Sequence, residues 1–510
     1  MSRMKIDVGR AMASGAHGKS PGIPIISHHD VCIDHLEQKR LQQIASRLIA
    51  DEPALASTDA FGPGVSASDR DGIALIIGDH SDTALMPPEQ ILHYDYRLSA
   101  LAAEGDHLVI WGEVSSAFET YRQSILQLGS IQAHKLPQAK EGRRSWPPES
   151  VEGQNLVKQL ISAARKTGRL AIIPYQGTGG VWRLAMKLAE TGDIEVNVMA
   201  APPRLARRAN DKIWFGRRVV EVLGTKARPV MVSAYGPAAL AAKVAAFARK
   251  HESVVMKVPS SAGSFGNFKF EANEIKGLSL GTLRHKLVGL LHDRGWHDRY
   301  PLLIEVWDCS VISTPSIQIW IPQTGNGLPI VEGIFEQLVE GPEGQFIGAL
   351  PAKLSDLWID RIVDEGSRLA ILLQQIGYVG RCSFDAVIFG DDLERAALHW
   401  IECNGRWGGT SIPMTLVNRL TGDWSKTNFI IYRCPVDTDS WSFDEALEKV
   451  SEFLYCPGKR DEGIVFLMPG LDIADPRVHL IAIGKTHENA MQFVRKTFDV
   501  LGDHARYKRP

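Results

Sequence analysis

The residues best suited to chemistry sit on two adjacent apolar segments near the end of the chain. In a strand, side chains i and i+2 share a face. Glu402 and Asn404 therefore project together, with Cys403 on the other side. Arg381, Ser383 and Asp385 share a face in the same way. A hairpin centred between Leu393 and Glu394 sets Asp385 opposite Glu402, and Ser383 opposite Asn404. Two facing carboxylates repel and cost stability. A bound divalent cation removes the repulsion. Asp, Glu and Asn offer only hard oxygen donors, which suit Mg²⁺ better than zinc or copper. Mg²⁺ keeps some water and completes its shell with phosphate oxygens. Arg406, two positions past Asn404, is then placed to pair bidentately with phosphate or a carboxylate. The plain alternative is a solvated hairpin face that happens to carry two acids.

Two further segments could handle phosphate. Val254–Val258 reads as an apolar strand with Lys257 near its end, followed by the small-residue loop Ser260-Ser261-Ala262-Gly263-Ser264-Phe265-Gly266. A lysine on an apolar strand needs an anion or solvent, because its charge cannot be buried alone. Loops of small residues can turn backbone N–H groups toward phosphate oxygens. No lysine follows these glycines, so the loop is not a P-loop. Asn210-Asp211-Lys212 opens an amphipathic helix. An Asn or Asp there is an ordinary cap, and a lysine in the first turn is disfavoured unless an anion sits beside it.

Three to four domains, at about 150 residues each, must position these residues in a chain of 510. The 57 basic and 59 acidic residues leave a net charge of −2, which argues against a global grip on nucleic acid. Six cysteines without C-x-x-C spacing point to a reduced compartment. No apolar run reaches the ~18 residues that span a bilayer, and the N-terminus lacks the apolar core of a secretory signal. The expectation is a cytoplasmic protein with no membrane partner. His28, His29 and Asp30 make a polar cluster that reads as a surface loop.

The rhythm after residue 70 is strand, helix, strand, as in a parallel α/β sheet. Strands are expected at Ile73–Ile77, Leu108–Trp111, Leu170–Pro174 and Glu195–Ala200, with a linker over Pro137–Ser150. Gly177-Thr178-Gly179-Gly180-Val181-Trp182 looks like the start of a dinucleotide loop. Trp182 replaces its last glycine, and no carboxylate ends the next strand, so a structural turn is the better reading. Beyond Arg204 the expected elements are a helix at Ala209–Leu223, strands at Val230–Ala234, Ser253–Val258, Leu302–Trp307 and Ser316–Ile321, and a long helix at Leu357–Ile376. The carboxylate hairpin Arg381–Phe389 and Leu398–Asn404 follows. The stretch from about Asp423 reads as a small α+β unit.

The order of these pieces resembles the ATP-grasp ligase superfamily over roughly Arg204–Leu420. Gly266-Asn267, the Pro-Ser strand start, Gly377-Tyr378-Val379-Gly380 and a small C-terminal unit are similar to the pheganomycin-type peptide ligases. The resemblance implies ATP and Mg²⁺ as cofactors. It implies that Lys212 and Lys257 contact phosphates, and that Ser260, Ser261, Gly263 and Gly266 belong to the lid loop. Glu305-Val306-Trp307 would present backbone groups to adenine. Asp385, Glu402 and Asn404 would hold the metal, and Lys257 and Arg406 would be catalytic. The glutamate that many members use for ribose is absent from Ser313–Gln318, leaving Asp308 or Glu305 as substitutes.

The expected fold is α/β, in four parts: an N-terminal extension (1–70), a parallel-sheet pre-ATP-grasp domain (71–205), an ATP-grasp core of two α+β lobes (206–422, lid lobe about 251–325) and a C-terminal α+β domain (423–510). The implied reaction joins a small-molecule or peptide carboxylate to an amine through an acyl phosphate, releasing ADP and phosphate. The alternatives are another ATP-grasp chemistry, namely carboxylation or thioester formation, and a nucleotide-binding module without catalysis. Which acid and amine are joined is not legible, and a homodimer is left open.

Overall fold

The computed structural model describes residues 23–85, 94–111, 113–137, 149–437, 441–471 and 476–504. Three sheets organise them. The first has six parallel strands in the order Val65–Ala67, Glu195–Val198, Arg169–Pro174, Ile73–Ile77, His107–Ile110, Gln132–Lys135. Its central strands are near-continuous apolar runs, as a sheet covered on both faces requires. Ala74–Ile77 and Leu170–Ile173 are wholly buried. The strand Val65–Ala67 lies inside the segment expected to precede this domain, so the sheet begins earlier than residue 71.

The glycine turn connects strand Arg169–Pro174 to helix Gly179–Gly192. Thr178 caps the helix by accepting from Val181 N–H and donates its hydroxyl to Asp79 at 2.5 Å. Trp182 is fully buried in the sheet's core. A Cβ on Gly177 would lie 2.2 Å from the Ala201 carbonyl oxygen, so close chain approach accounts for the glycine.

The second sheet is antiparallel, in the order Met231–Ala234, Leu302–Val306, Ser253–Lys257, Asn267–Glu271. Helices Pro237–Ala248 and Leu280–Asp293 pack on it. The third sheet has nine strands. Gly380–Phe389 pairs with Pro315–Ile321 on one side and with Ala397–Asn404 and the short Val311–Ser313 on the other, and the path continues through Ile330–Glu340, Gln345–Pro351, Asn428–Pro435 and Arg477–Gly484 to Gly463–Phe466. The C-terminal α+β segment adds its strands to the central sheet. Strand Asn428–Pro435 pairs directly with Gln345–Pro351.

The expected helix Ala209–Leu223 runs over Lys212–Leu223, after a short helix Pro203–Ala209. Asp211 caps it as expected, its carboxylate accepting from Ile213 and Trp214 N–H. The N-terminal helix His35–Asp51 packs its Leu41, Ile44 and Leu48 against the long helix Asp356–Ile376. His28 lies edge-on to Trp424 and 3.4 Å from Asp423, so the first described residues are tied to the far end of the core. Most of the expected 137–150 linker lies outside the described residues. All six cysteines are free thiols, three of them buried. No helix among the described residues is long and apolar enough to cross a membrane.

Replacing Gly177 by Ala should lower unfolding stability by about 1–3 kcal/mol, the usual cost of forcing atoms into a packed site. Urea denaturation followed by tryptophan fluorescence measures this. An unchanged midpoint would show that the turn has room.

Candidate active site

The carboxylate hairpin forms in the expected register around the site: Asp385 faces Glu402, and Ser383 faces Asn404. The register shifts between Asp385 and Ala386, so the far end of the hairpin is offset by one place from the expected centre. Asp385 accepts from the Ser316 hydroxyl at 2.6 Å and from Asn404 Nδ2 at 2.8 Å. Glu402 receives the Lys212 ammonium at 2.9 Å. Burial and then the Glu402 charge push the Asp385 carboxyl up to about 7. Burial also opposes the Glu402 charge, but Lys212 and Arg406 outweigh it and hold that carboxyl below its ordinary value. The two carboxyls are thus driven in opposite directions, Asp385 up and Glu402 down.

This strained pair fits a hard cation. The two carboxyl groups are half-buried and face each other, and a divalent ion relieves the repulsion that ionising both would bring. Among the described residues no cluster of three or more His, Cys, Asp or Glu could hold a metal. The donor set is therefore two carboxylates and one amide, which suits an ion that fills its shell with phosphate and water. Asn404 turns its Nδ2 toward the carboxylates and its Oδ1 toward Arg406. Its amide oxygen would face a metal only after rotation.

Arg406 does not extend the strand, which ends at Asn404. Its place comes from bonding. The guanidinium donates to Asn404 Oδ1, to Asn210 Oδ1 and, at 3.3 Å, to the Tyr175 hydroxyl. Asn210 also binds both backbone groups of Gly405, and Trp407 N–H donates to the Tyr175 carbonyl. The parallel-sheet domain thus supplies one wall of the site. Arg381, on the face of Asp385, is instead buried against Glu332 and lies 4.7 Å from the Trp407 ring centre.

Lys212 and Lys257 converge from opposite sides, and both are buried. Lys212 donates to the Ser261 carbonyl at 2.6 Å as well as to Glu402, and its own N–H reaches Pro259 at 3.1 Å. It is a crosspiece between the lid loop and the carboxylates. Lys257 pairs with Glu305, whose other oxygen is 2.8 Å from Arg228. Burial pushes the Glu305 carboxyl up, but the two cations outweigh it and leave it below its ordinary range. Arg228 also donates to the carbonyls of Trp400 and Ile401, at 3.1 and 2.8 Å, on the carboxylate strand. A Cβ on Gly216 would stand 2.5 Å from Arg228 Nε, so that glycine clears its path.

The loop Ser260–Gly266 is folded down. Gly266 carbonyl accepts from Val258 N–H at 2.9 Å, and the Ser264 hydroxyl donates to Gly344 at 2.9 Å. Gly263 has φ +60°, and a Cβ on Gly266 would meet Ser261 Oγ at 2.2 Å. Both glycines are therefore required by shape.

At the expected hinge, the N–H groups of Val306 and Trp307 bond the Val230 and Ser253 carbonyls at 3.0 and 3.1 Å. The Glu305 side chain is wholly buried in its ion cluster. Asp308 is held by His399 Nδ1 at 2.9 Å. Both substitutes for the missing ribose contact are thus engaged elsewhere. Sequence reasoning missed Arg228, Tyr175 and Ser316, and read Asn210 only as part of a helix start. Their partners lie 69 to 231 residues away in three of these cases, too far for any local pattern to show.

Residues 95–189 match the family model described as "Pre ATP-grasp domain". No curated protein matches the sequence. Among solved structures, the biotin carboxylase domain of 2-oxoglutarate carboxylase from Hydrogenobacter thermophilus, a dimer with MgADP, ADP and bicarbonate, is similar with a TM-score of 0.50 and 14% identity, covering 84% of this chain and 90% of that one. N5-carboxyaminoimidazole ribonucleotide synthetase from Thermus thermophilus gives 0.49 and 13%, covering 86% and 100%. The chain has a pre-ATP-grasp domain and the ATP-grasp fold.

Arg228→Met keeps bulk but strands Glu305 with one cation. Removing one partner of a buried ion cluster should cost about 3–5 kcal/mol. Thermal and chemical unfolding together measure it, and a loss below about 1 kcal/mol would place the cluster's weight elsewhere.

Proposed function

We propose that this protein is an ATP-dependent carboxylate–amine ligase that works through an acyl phosphate, similar to the pheganomycin-type peptide ligases. One observation carries the reading: Asp385, Glu402 and Asn404 meet Lys212 and Arg406 beneath a closed glycine loop. Asp385, Glu402 and Asn404 would hold Mg²⁺, which when bound neutralises charge on the ATP phosphates. Lys212 and Lys257 hold the phosphates from either side. The folded loop Ser260–Gly266 excludes water from the transferred group.

In the first step a carboxylate oxygen forms a bond to the γ-phosphorus of ATP, and the bond to the β–γ bridging oxygen breaks, leaving ADP. Arg406 supplies a planar fork of donors beside the developing charge. In the second step an amine nitrogen bonds the carbonyl carbon. Phosphate departs with the bonding electrons, and the nitrogen loses a proton. Transfer of this kind depends on positioning and charge neutralisation more than on a chemical group of the protein. A second reading, with bicarbonate as the acid, is favoured by the fold likeness to a biotin carboxylase domain.

Glu402→Gln should lower ADP release about 10²–10³-fold, the typical cost of removing one electrostatic stabiliser, with unfolding temperature little changed. Arg406→Lys should slow turnover more than it weakens ATP binding. With an ¹⁸O-labelled acid, label should appear in the released phosphate. AMP and pyrophosphate as products would overturn the mechanism, and a carboxylated rather than amidated product would select the second reading. ATP binding with no acid-dependent ADP release would leave only a binding module.

A further inference from the structure

One cleft carries charges that the phosphate site does not use. The loop Ser81–Leu85 leaves the parallel sheet and docks on the lid. Ala84 N–H donates to the Ser260 carbonyl at 3.0 Å, and Ala84 pairs with Ser261 in a one-residue parallel bridge. Ala84 and Leu85 pack on the apolar core of the lid sheet. Beside this junction lies an open cavity of about 530 Å³. That size is within the range of small-molecule sites.

Its walls bear opposite charges. Asp82 lies on the side of the docking loop; Arg294, Trp296 and Arg299 lie on the lid side, with Ser260 between them. Arg294 is oriented by the Phe265 carbonyl at 3.1 Å and by Glu343 at 3.4 Å. The Arg299 guanidinium lies 5.3 Å from the Trp296 ring centre, and Trp296 Nε1 donates to the Arg299 carbonyl at 2.9 Å. That ring fixes the guanidinium in place at low cost in freedom. Asp82 Oδ2 accepts no hydrogen bond among the described residues, and its nearest cation, Arg207, is 3.6 Å away. Burial lifts the Asp82 carboxyl above its ordinary value, against the pull of Arg207. A ligand ammonium beside it would relieve that cost.

The cavity is linked to the carboxylate site by contacts through the lid loop. Ser260 adjoins Ser261, whose carbonyl is held by Lys212, and Lys212 reaches Glu402. We infer that this cleft binds the amine substrate as a zwitterionic amino acid or short peptide, its ammonium end at Asp82 and its free carboxylate at Arg294 and Arg299. The inference rests on the ligase reading for the word substrate, but the binding itself does not need turnover.

Saturation-transfer NMR on the full chain tests it, using an equimolar mixture of the twenty amino acids and the twenty Gly-X dipeptides. Some members should give signal, and their C-terminal amides and N-acetyl forms should not. Arg299→Gln should weaken the observed binders about tenfold or more, the usual worth of a hydrogen bond to a charged group. Asp82→Asn should abolish the discrimination against N-acetyl forms while keeping that against amides. Circular dichroism checks that both variants are folded. No signal from any free-carboxylate member would overturn the inference, as would equal binding of the amides or wild-type binding by Arg299→Gln. Binding of this pattern without ADP release on adding ATP and acids would retain the site and overturn the ligase reading instead.

Discussion

A fully buried carboxylate, Glu305, anchors the site to the rest of the protein. Removing it from water is costly, and only paired cations make its burial tolerable. Its two partners come from different places: Lys257 from the adjacent strand of the lid sheet, Arg228 from the turn that follows helix Lys212–Leu223. Arg228 also donates to the carbonyls of Trp400, Ile401 and Lys212. The lid sheet, the Lys212 helix and the strand bearing Glu402 are thereby fixed to one another by a single charge. Gly216 belongs to the same arrangement, since any side chain there would occupy the guanidinium's space.

Around this anchor the site is assembled by residues that bridge elements. Lys212 joins the lid loop to Glu402, and Asn210 joins its own helix end to Gly405 and Arg406. Tyr175 brings in the parallel sheet. Each contact is polar and buried or half-buried, where hydrogen bonds are stronger than in water and unpaired groups are more costly. The result is a site whose side chains are oriented before any ligand arrives, apart from the amide of Asn404.

What the sequence revealed of this follows from the range of the forces involved. The pairing of Asp385 with Glu402 was legible because strand side chains alternate and a polar loop marked the turn. The offset beyond Asp385 was not, since a bulge leaves no local signal. Helix Lys212–Leu223 was legible as an amphipathic run behind the capping Asp211. The strands Ile330–Glu340 and Gln345–Pro351 were unread because they lack clean alternation: Val331–Phe335 is buried throughout. Ion partners such as Arg228 and Glu305 are invisible to any reading that works along the chain.

The continuity of the nine-stranded sheet has a consequence for how the protein comes into being. As the chain leaves the ribosome, Gln345–Pro351 can pair with Ile330–Glu340 at once, because the two are close in sequence. Its other edge waits for Asn428–Pro435, and that strand in turn waits for Arg477–Gly484. Until nearly the last helix has emerged, the nascent sheet presents an open row of N–H and C=O groups beside apolar side chains, the pattern that invites pairing with other chains. The parallel sheet, complete by Val198, carries no such delay. The sheet therefore stays unfinished until late in translation, after the carboxylate hairpin has emerged.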